Sequence, residues 1–182
     1  MRLRKLFILS VASLLLMGFT FSSPTDSKVI KPKIYFSQLD KSVKKEIECL
    51  IDNIHYEAAG ESHTGKIAVA FVTMNRVNSG KYPSRVCDVI YQRDSRVCQF
   101  SWVCQNKTTV KNVLTLSHEM YYNYIRDLAI SVYFYHDQMQ DPTKGAIFYH
   151  ADYVSPNWKK VKKTVTIGRH IFYKSKNDMR DI

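Results

Sequence analysis

Apolar residues recur at steps of three and four along several stretches of this chain, and each such stripe predicts a helix with one buried face. In "VKKEIECLIDNIHYEA" the stripe is Val43, Ile47, Leu50, Ile51 and Ile54, with Ser42 placed as N-cap and Glu57 at or just past the last turn, before Gly60. A second helix is predicted from about Gly65 to Val77 on Ile67, Ala70, Phe71, Met74 and Val77, and "NSGKYPS" ends it with Gly80 and Pro83. Ser84 is placed to cap a short helix through Val89, Ile90 and Tyr91. The segment "RDSRVCQFSWVCQNKTT" has no period and reads as a structured loop. A third long helix, about Ser117 to Gln138, buries Met120, Ile125, Leu128, Ala129 and Val132 and closes at Asp141-Pro142.

After Pro142 the pattern changes to period two. "GAIFYH" and "KTVTIGRHIFYK" alternate and are rich in β-branched residues, so short strands are expected, forming a small sheet or hairpin on one side of a cleft. The fold class is therefore α+β and mainly helical, without internal repeats.

The first residues follow another logic. "MRLRKLFILSVASLLLMGFTFSS" places Arg2, Arg4 and Lys5 before an apolar run from Leu6 to Phe21 and then small and polar residues, the layout of a secretory signal over residues 1–22. The competing reading is an uncleaved anchor, since a run of about 16 residues is close to the minimum of ~17 for a spanning helix. Residues 23–40, polar and carrying Pro24 and Pro32, read as a linker, which leaves 41–182 as one domain. The expected location is exported: periplasm, cell wall or extracellular space.

Export changes how the cysteines are read. Cys49, Cys87, Cys98 and Cys104 are an even set in an oxidising compartment, so disulfides are expected; three connectivities are open, and Cys98 with Cys104 would close a short loop. Their spacing contains no Cys-x-x-Cys knuckle, which argues against zinc. The net charge of +11 includes three positive charges from the leader, and the remaining excess favours an acidic partner. Outside the cytosol such partners are anionic cell-wall polymers and membrane surfaces, not nucleic acid. The cluster "KKVKK", Lys159 to Lys163, reads as a solvated strand edge or turn.

The candidate chemistry lies in "NIHYEAAGES". A carboxyl at a helix end among apolar neighbours such as Ile54 and Ala58 is held protonated near neutral pH by desolvation, and so can donate a proton to a glycosidic oxygen. Glu57 suits this role. Glu61 is its nearest possible second acid, on the same face if the chain stays helical between them. His55-x-Glu57 matches the start of the zinc deaminase motif, but Pro83 is followed by Ser84-Arg85-Val86-Cys87 where that motif needs Pro-Cys-x-x-Cys. "SHEMYYN" is not His-Glu-x-x-His. No metal or other cofactor is expected.

"HYEAAGESHTGKIAVAFVTMNRVNSGKYPSRVCDVIYQ", "CQFSW", "GAIFYHADYVSPNW" and "TIGRHIFY" occur in an order that resembles the SleB/CwlJ cell-wall hydrolase family, over roughly Ile47 to Tyr173. The resemblance implies a lysozyme-like or lytic-transglycosylase-like domain acting, without metal, on the glycan strands of peptidoglycan. It places the family's catalytic glutamate on Glu57, the first acid of an "EARGE" motif that stands here as "EAAGE", with Ala59 in place of the usual arginine. One assured acid favours a lytic transglycosylase, which needs a single acid/base group, over a muramidase-type hydrolase, which usually needs two carboxylates. A non-catalytic wall-binding accessory protein is the alternative outside enzymes. For substrate binding the candidates are Gln99, Phe100 and Ser101 in the cysteine-flanked loop and Tyr149 and His150 at a strand end, with Tyr149 the aromatic expected to face the sugar or hold Glu57.

Overall fold

The computed structural model describes residues 34–95, 97–105 and 116–179. The leader, and the linker up to residue 33, lie outside the described residues. Within the stretch read as linker, Ile34, Phe36 and Leu39 pack against the core.

Three long or medium helices build the main layer: α1 Lys41–Ala58, α2 His63–Asn78 and α5 Leu116–Tyr135, with short α3 Val86–Ile90 and α4 Ser101–Cys104 between them. Helix α1 is central. Its stripe of Ile47, Leu50, Ile51 and Ile54 is no more than 1% exposed and meets Ile125, Leu128, Ala129 and Val132 of α5 in one apolar core. Met120, expected in that core, is exposed instead: the α5 stripe continues backward from Ile125 at three and four residues, through Tyr121 and Tyr122, and bypasses Met120.

The expected caps also differ. Helix α1 starts at Lys41 with Asp40 as N-cap, so Ser42 lies inside the first turn. Helix α3 begins after Arg85, and its cap comes from α1: buried Glu46 accepts from the Cys87 backbone N–H at 2.9 Å while pairing with Arg85 at 2.6 Å. A carboxylate 41 residues away thus satisfies an amide that Ser84 was expected to hold. At α2 the cap is local, Ser62 Oγ accepting from Gly65 N–H at 3.2 Å.

Helix α2 is buried on two sides. Ala70, Phe71 and Met74 join the helical core, whereas Ala68 and Val72 face a second cluster with Ala146 and Phe172 of the sheet region. That sheet is antiparallel in the order β3–β5–β4, formed by β3 Phe148–Ala151, β4 Val161–Ile167 and β5 His170–Ser175. The inner face of the sheet presents Tyr149, Val165, Ile167 and Phe172 to α2. Exposed Lys162 and Lys163 lie on edge strand β4, where charge discourages pairing with another chain. The loop after α3 contains a two-residue hairpin, β1 Arg93–Asp94 with β2 Val97–Cys98, leading into α4.

Both disulfides form, Cys49–Cys87 and Cys98–Cys104. The first ties α1 to α3; the second closes the turn that carries Gln99, Phe100 and Ser101. No helix among the described residues is long and apolar enough to cross a membrane.

Candidate active site

A cleft of about 170 Å³ opens where α1 ends, bordered by Glu57, Arg76, Gln99, Phe100, Ser101, Phe148, Tyr149 and Trp158. Glu57 is in the last turn of α1 and half-buried. Desolvation raises its pKa above the ordinary glutamate value, and the Tyr149 hydroxyl and the Arg76 charge pull it part of the way back. Tyr149 O–H donates to Glu57 Oε2 at 2.9 Å, which leaves Oε1 to carry the acidic proton. Burial, reinforced by the charge of Glu57, pushes the Tyr149 phenol well above its usual range, so the hydroxyl remains a donor.

Arg76 was not foreseen as a site residue. It is 3% exposed, and its Nε donates to the carbonyl of Ile147 at 2.8 Å, fixing the chain just before β3. With the Gln99 amide oriented by its hydrogen bonds, its oxygen accepts from both terminal guanidinium nitrogens, at 3.2 and 3.3 Å. The guanidinium also lies over the rings of Phe100 and Tyr82, 5.2 and 5.3 Å from their centroids. Arg76 therefore joins both walls of the cleft. The clue in the sequence is a charge between Met74 and Val77, two members of the α2 stripe.

The foreseen loop residues divide by burial. Gln99 and Ser101 border the cleft with accessible polar groups, whereas Phe100 is 3% exposed and contributes mainly to the core beneath Arg76. Trp102 is also core; its indole N–H donates to Asn53 Oδ1 at 3.1 Å, and Asn53 in turn donates to Thr73. His150 does not border the cleft: it lies on the face of β3 opposite Tyr149, behind Trp158, where it stacks on Tyr173.

Glu61 is separated from Glu57 in role as well as position. Helix α1 ends at Ala58, so the two acids do not share a helical face. The Glu61 carboxylate reaches the β4–β5 turn, accepting from the Arg169 backbone N–H at 3.3 and 3.4 Å, with His170 Nδ1 3.9 Å away. Gly168 makes this approach possible, since a Cβ there would lie 1.8 Å from Glu61 Oε2. Buried Lys66 secures the same connection from α2, donating to the carbonyls of Ala59 and Glu61. Ala59 itself is exposed at the α1 C-cap. His55 packs against Tyr56 and Tyr121, and no group of three potential ligands able to hold a metal occurs among the described residues.

A family model described as Cell Wall Hydrolase matches residues 60–173. The chain belongs to this cell wall hydrolase family. The matched span begins three residues after Glu57 and includes Glu61, Arg76, the Gln99 loop, Tyr149 and Trp158. Among curated relatives, the spore cortex-lytic enzyme of Bacillus cereus is 28% identical over 143 residues, covering 72% of this chain and 45% of that protein. The spore cortex-lytic enzyme of Halalkalibacterium halodurans is 27% identical, covering 70% of this chain and 34% of that protein. The matched region thus spans less than half the length of these relatives. Among solved structures, the catalytic domain of the germination-specific lytic transglycosylase SleB from Bacillus anthracis superposes with a TM-score of 0.52 at 25% identity, covering 79% of this chain and all of that one. The SleB catalytic domain of Bacillus cereus gives 0.50 at 23% identity, with 79% and 94% covered. The family and the mainly helical, lysozyme-like fold agree with the expectation from sequence.

Proposed function

We propose that this exported protein cleaves the glycan strand of peptidoglycan between N-acetylmuramic acid and N-acetylglucosamine as a lytic transglycosylase, with Glu57 as its acid and base. One observation carries the reading: Glu57 is the single carboxylate among the described residues bordering the cleft, and desolvation favours its protonated form. In the first step Glu57 gives its proton to the bridging oxygen while the C1–O bond breaks and positive charge develops at C1 of the muramyl ring. The resulting carboxylate then takes the proton of that sugar's own 6-hydroxyl as O6 bonds to C1. The products are a 1,6-anhydro end and a free N-acetylglucosamine hydroxyl, and Glu57 is protonated again without consuming water.

Glu61 acts in this scheme as a structural acid, its carboxylate spent on the β4–β5 turn. A hydrolase would need a second carboxylate to activate water or form a glycosyl ester. The spore cortex-lytic enzymes and the germination-specific lytic transglycosylase to which the chain is similar support the same substrate class.

Mass spectrometry of the soluble fragments released from purified sacculi tests the proposal. Anhydromuramic ends are expected, and their release should disappear in Glu57→Gln. Reducing muramic ends would replace this mechanism by hydrolysis. No soluble product at all would leave a wall-binding protein.

A further inference from the structure

Trp158 combines exposure with rigid support. It stands in the polar loop "DYVSPNWKK", is 41% exposed, and borders the same cleft as Glu57. Three rings contact it: Phe148 at 5.7 Å, His150 at 5.5 Å and Tyr173 at 5.7 Å between centroids. Their planes meet the indole at 49°, 72° and 88°, so none of these three lies parallel on it. Its backbone N–H is held by the Pro156 carbonyl at 2.9 Å.

The support is itself locked. His150 and Tyr173 stack at 5.2 Å and 23°, joined by a 2.9 Å hydrogen bond between Nε2 and the phenol. His150 Nδ1 lies 2.8 Å from the Ala151 carbonyl. A carbonyl only accepts, so Nδ1 carries a proton and donates to it, while Nε2 and the Tyr173 hydroxyl share the second bond. The indole is thus oriented before any ligand arrives, which lowers the entropy cost of a contact made on it.

Burying an indole fully is favourable, and a core role would have closed it off as it does Trp102, which is 5% exposed. Trp158 is held open at a cleft that also offers Gln99 and Ser101. With the Gln99 oxygen on Arg76, its NH₂ faces the task of donating to a sugar acetamido or hydroxyl oxygen. An apolar plane beside polar hydrogen-bonding groups matches a pyranose ring, whose C–H face is apolar and whose rim is polar. We infer that Trp158 is the stacking wall for the N-acetylated sugar ring bound beside Glu57, presented by the Phe148, His150 and Tyr173 cradle. The inference rests on the glycan-cleaving reading above and assigns Trp158 to substrate positioning.

Kinetics on soluble glycan strands from sacculi, freed of stem peptides, test it. Trp158→Ala should raise KM roughly tenfold, the scale of one aromatic contact, with kcat changed far less. Trp158→Phe and Trp158→Tyr should recover most of the loss, and Tyr153→Ala, which removes an exposed ring outside the cleft, should change neither constant. A second readout uses the intact fold: Glu57→Gln titrated with a tetramer of N-acetylglucosamine should show a saturable change in tryptophan emission that is absent in Glu57→Gln/Trp158→Phe. Unchanged KM in all three Trp158 variants, or a fall in kcat and melting temperature without a KM effect, would overturn the inference. Because the reading of Glu57 is judged by product release in Glu57→Gln, loss of one conclusion is distinguishable from loss of the other.

Discussion

The Tyr149 hydroxyl donates to Glu57 Oε2 at 2.9 Å, joining the first strand of the sheet to the last turn of α1 across 92 residues. This bond favours the charged form of Glu57, against the larger effect of desolvation. Tyr149→Phe should therefore raise the pKa of Glu57 further and move the alkaline limb of the kcat/KM profile to higher pH. It should also lower kcat about tenfold through loss of orientation, less than the roughly 100-fold or greater loss expected when Glu57→Gln removes the acid–base group itself. An alkaline limb that stays in place would separate Tyr149 from the poise of Glu57.

Glu57 should also cost stability at neutral pH. Its folded pKa lies above the unfolded value, so in the window between them the folded state holds a proton that the unfolded state has lost, and stability falls as pH rises. Below the unfolded value, near 4.3, the penalty is absent. The melting temperature of Glu57→Gln relative to wild type should accordingly increase with pH above the ordinary glutamate range and then level off; thermal melts from pH 4 to 8 measure this.

Arg76 serves both cleft walls and the charge balance. Arg76→Met removes the bonds to Ile147 and Gln99 from a buried position and should destabilise the fold by about 3 kcal/mol in denaturant titrations. The lost positive charge should shift the alkaline limb upward, as in Tyr149→Phe. Arg76→Lys should restore part of that shift with fewer of the hydrogen bonds.

The two disulfides should affect different properties. Cys49–Cys87 spans 38 positions and Cys98–Cys104 only 6, and chain-entropy arguments give losses of about 4 and about 2 kcal/mol respectively on removing them. The short one, however, holds the turn with Gln99 and Ser101. Double serine replacement at Cys49 and Cys87 should lower the melting temperature more, and replacement at Cys98 and Cys104 should lower activity more at a temperature where both variants are folded.

Gly168 and Glu61 should be coupled. Gly168 has φ +55°, and an added Cβ would meet the Glu61 carboxylate. Gly168→Ala should cost about 2 kcal/mol or more, and noticeably less in a Glu61→Ala background, where only the backbone strain remains. Equal costs in both backgrounds would mean that the carboxylate yields freely.

Legibility in the sequence followed the range of the interactions. Ile47, Leu50, Ile51 and Ile54 are buried as their spacing requires, and the period-two stretches form the sheet, because a periodic apolar face has few ways to leave water. The cap of α3 is not legible locally, because the acceptor, Glu46, arrives from another helix, whereas α1 only begins slightly earlier than its spacing suggests, with Asp40 as N-cap. Met120 was misplaced because a short window cannot tell which of two neighbouring stripes meets a partner.

By itself the sequence determined the long helices, the even set of cysteines that pairs into disulfides, and Glu57 as a carboxyl with apolar neighbours at a helix end. Only the tertiary structure decided what surrounds that carboxyl. It ended α1 at Ala58 and sent Glu61 to the β4–β5 turn, brought Tyr149 and Arg76 to Glu57, and turned His150 away to support Trp158. The reason is physical: a pKa depends on burial and on charges within a few ångströms, and those neighbours come from segments separated by up to 92 residues.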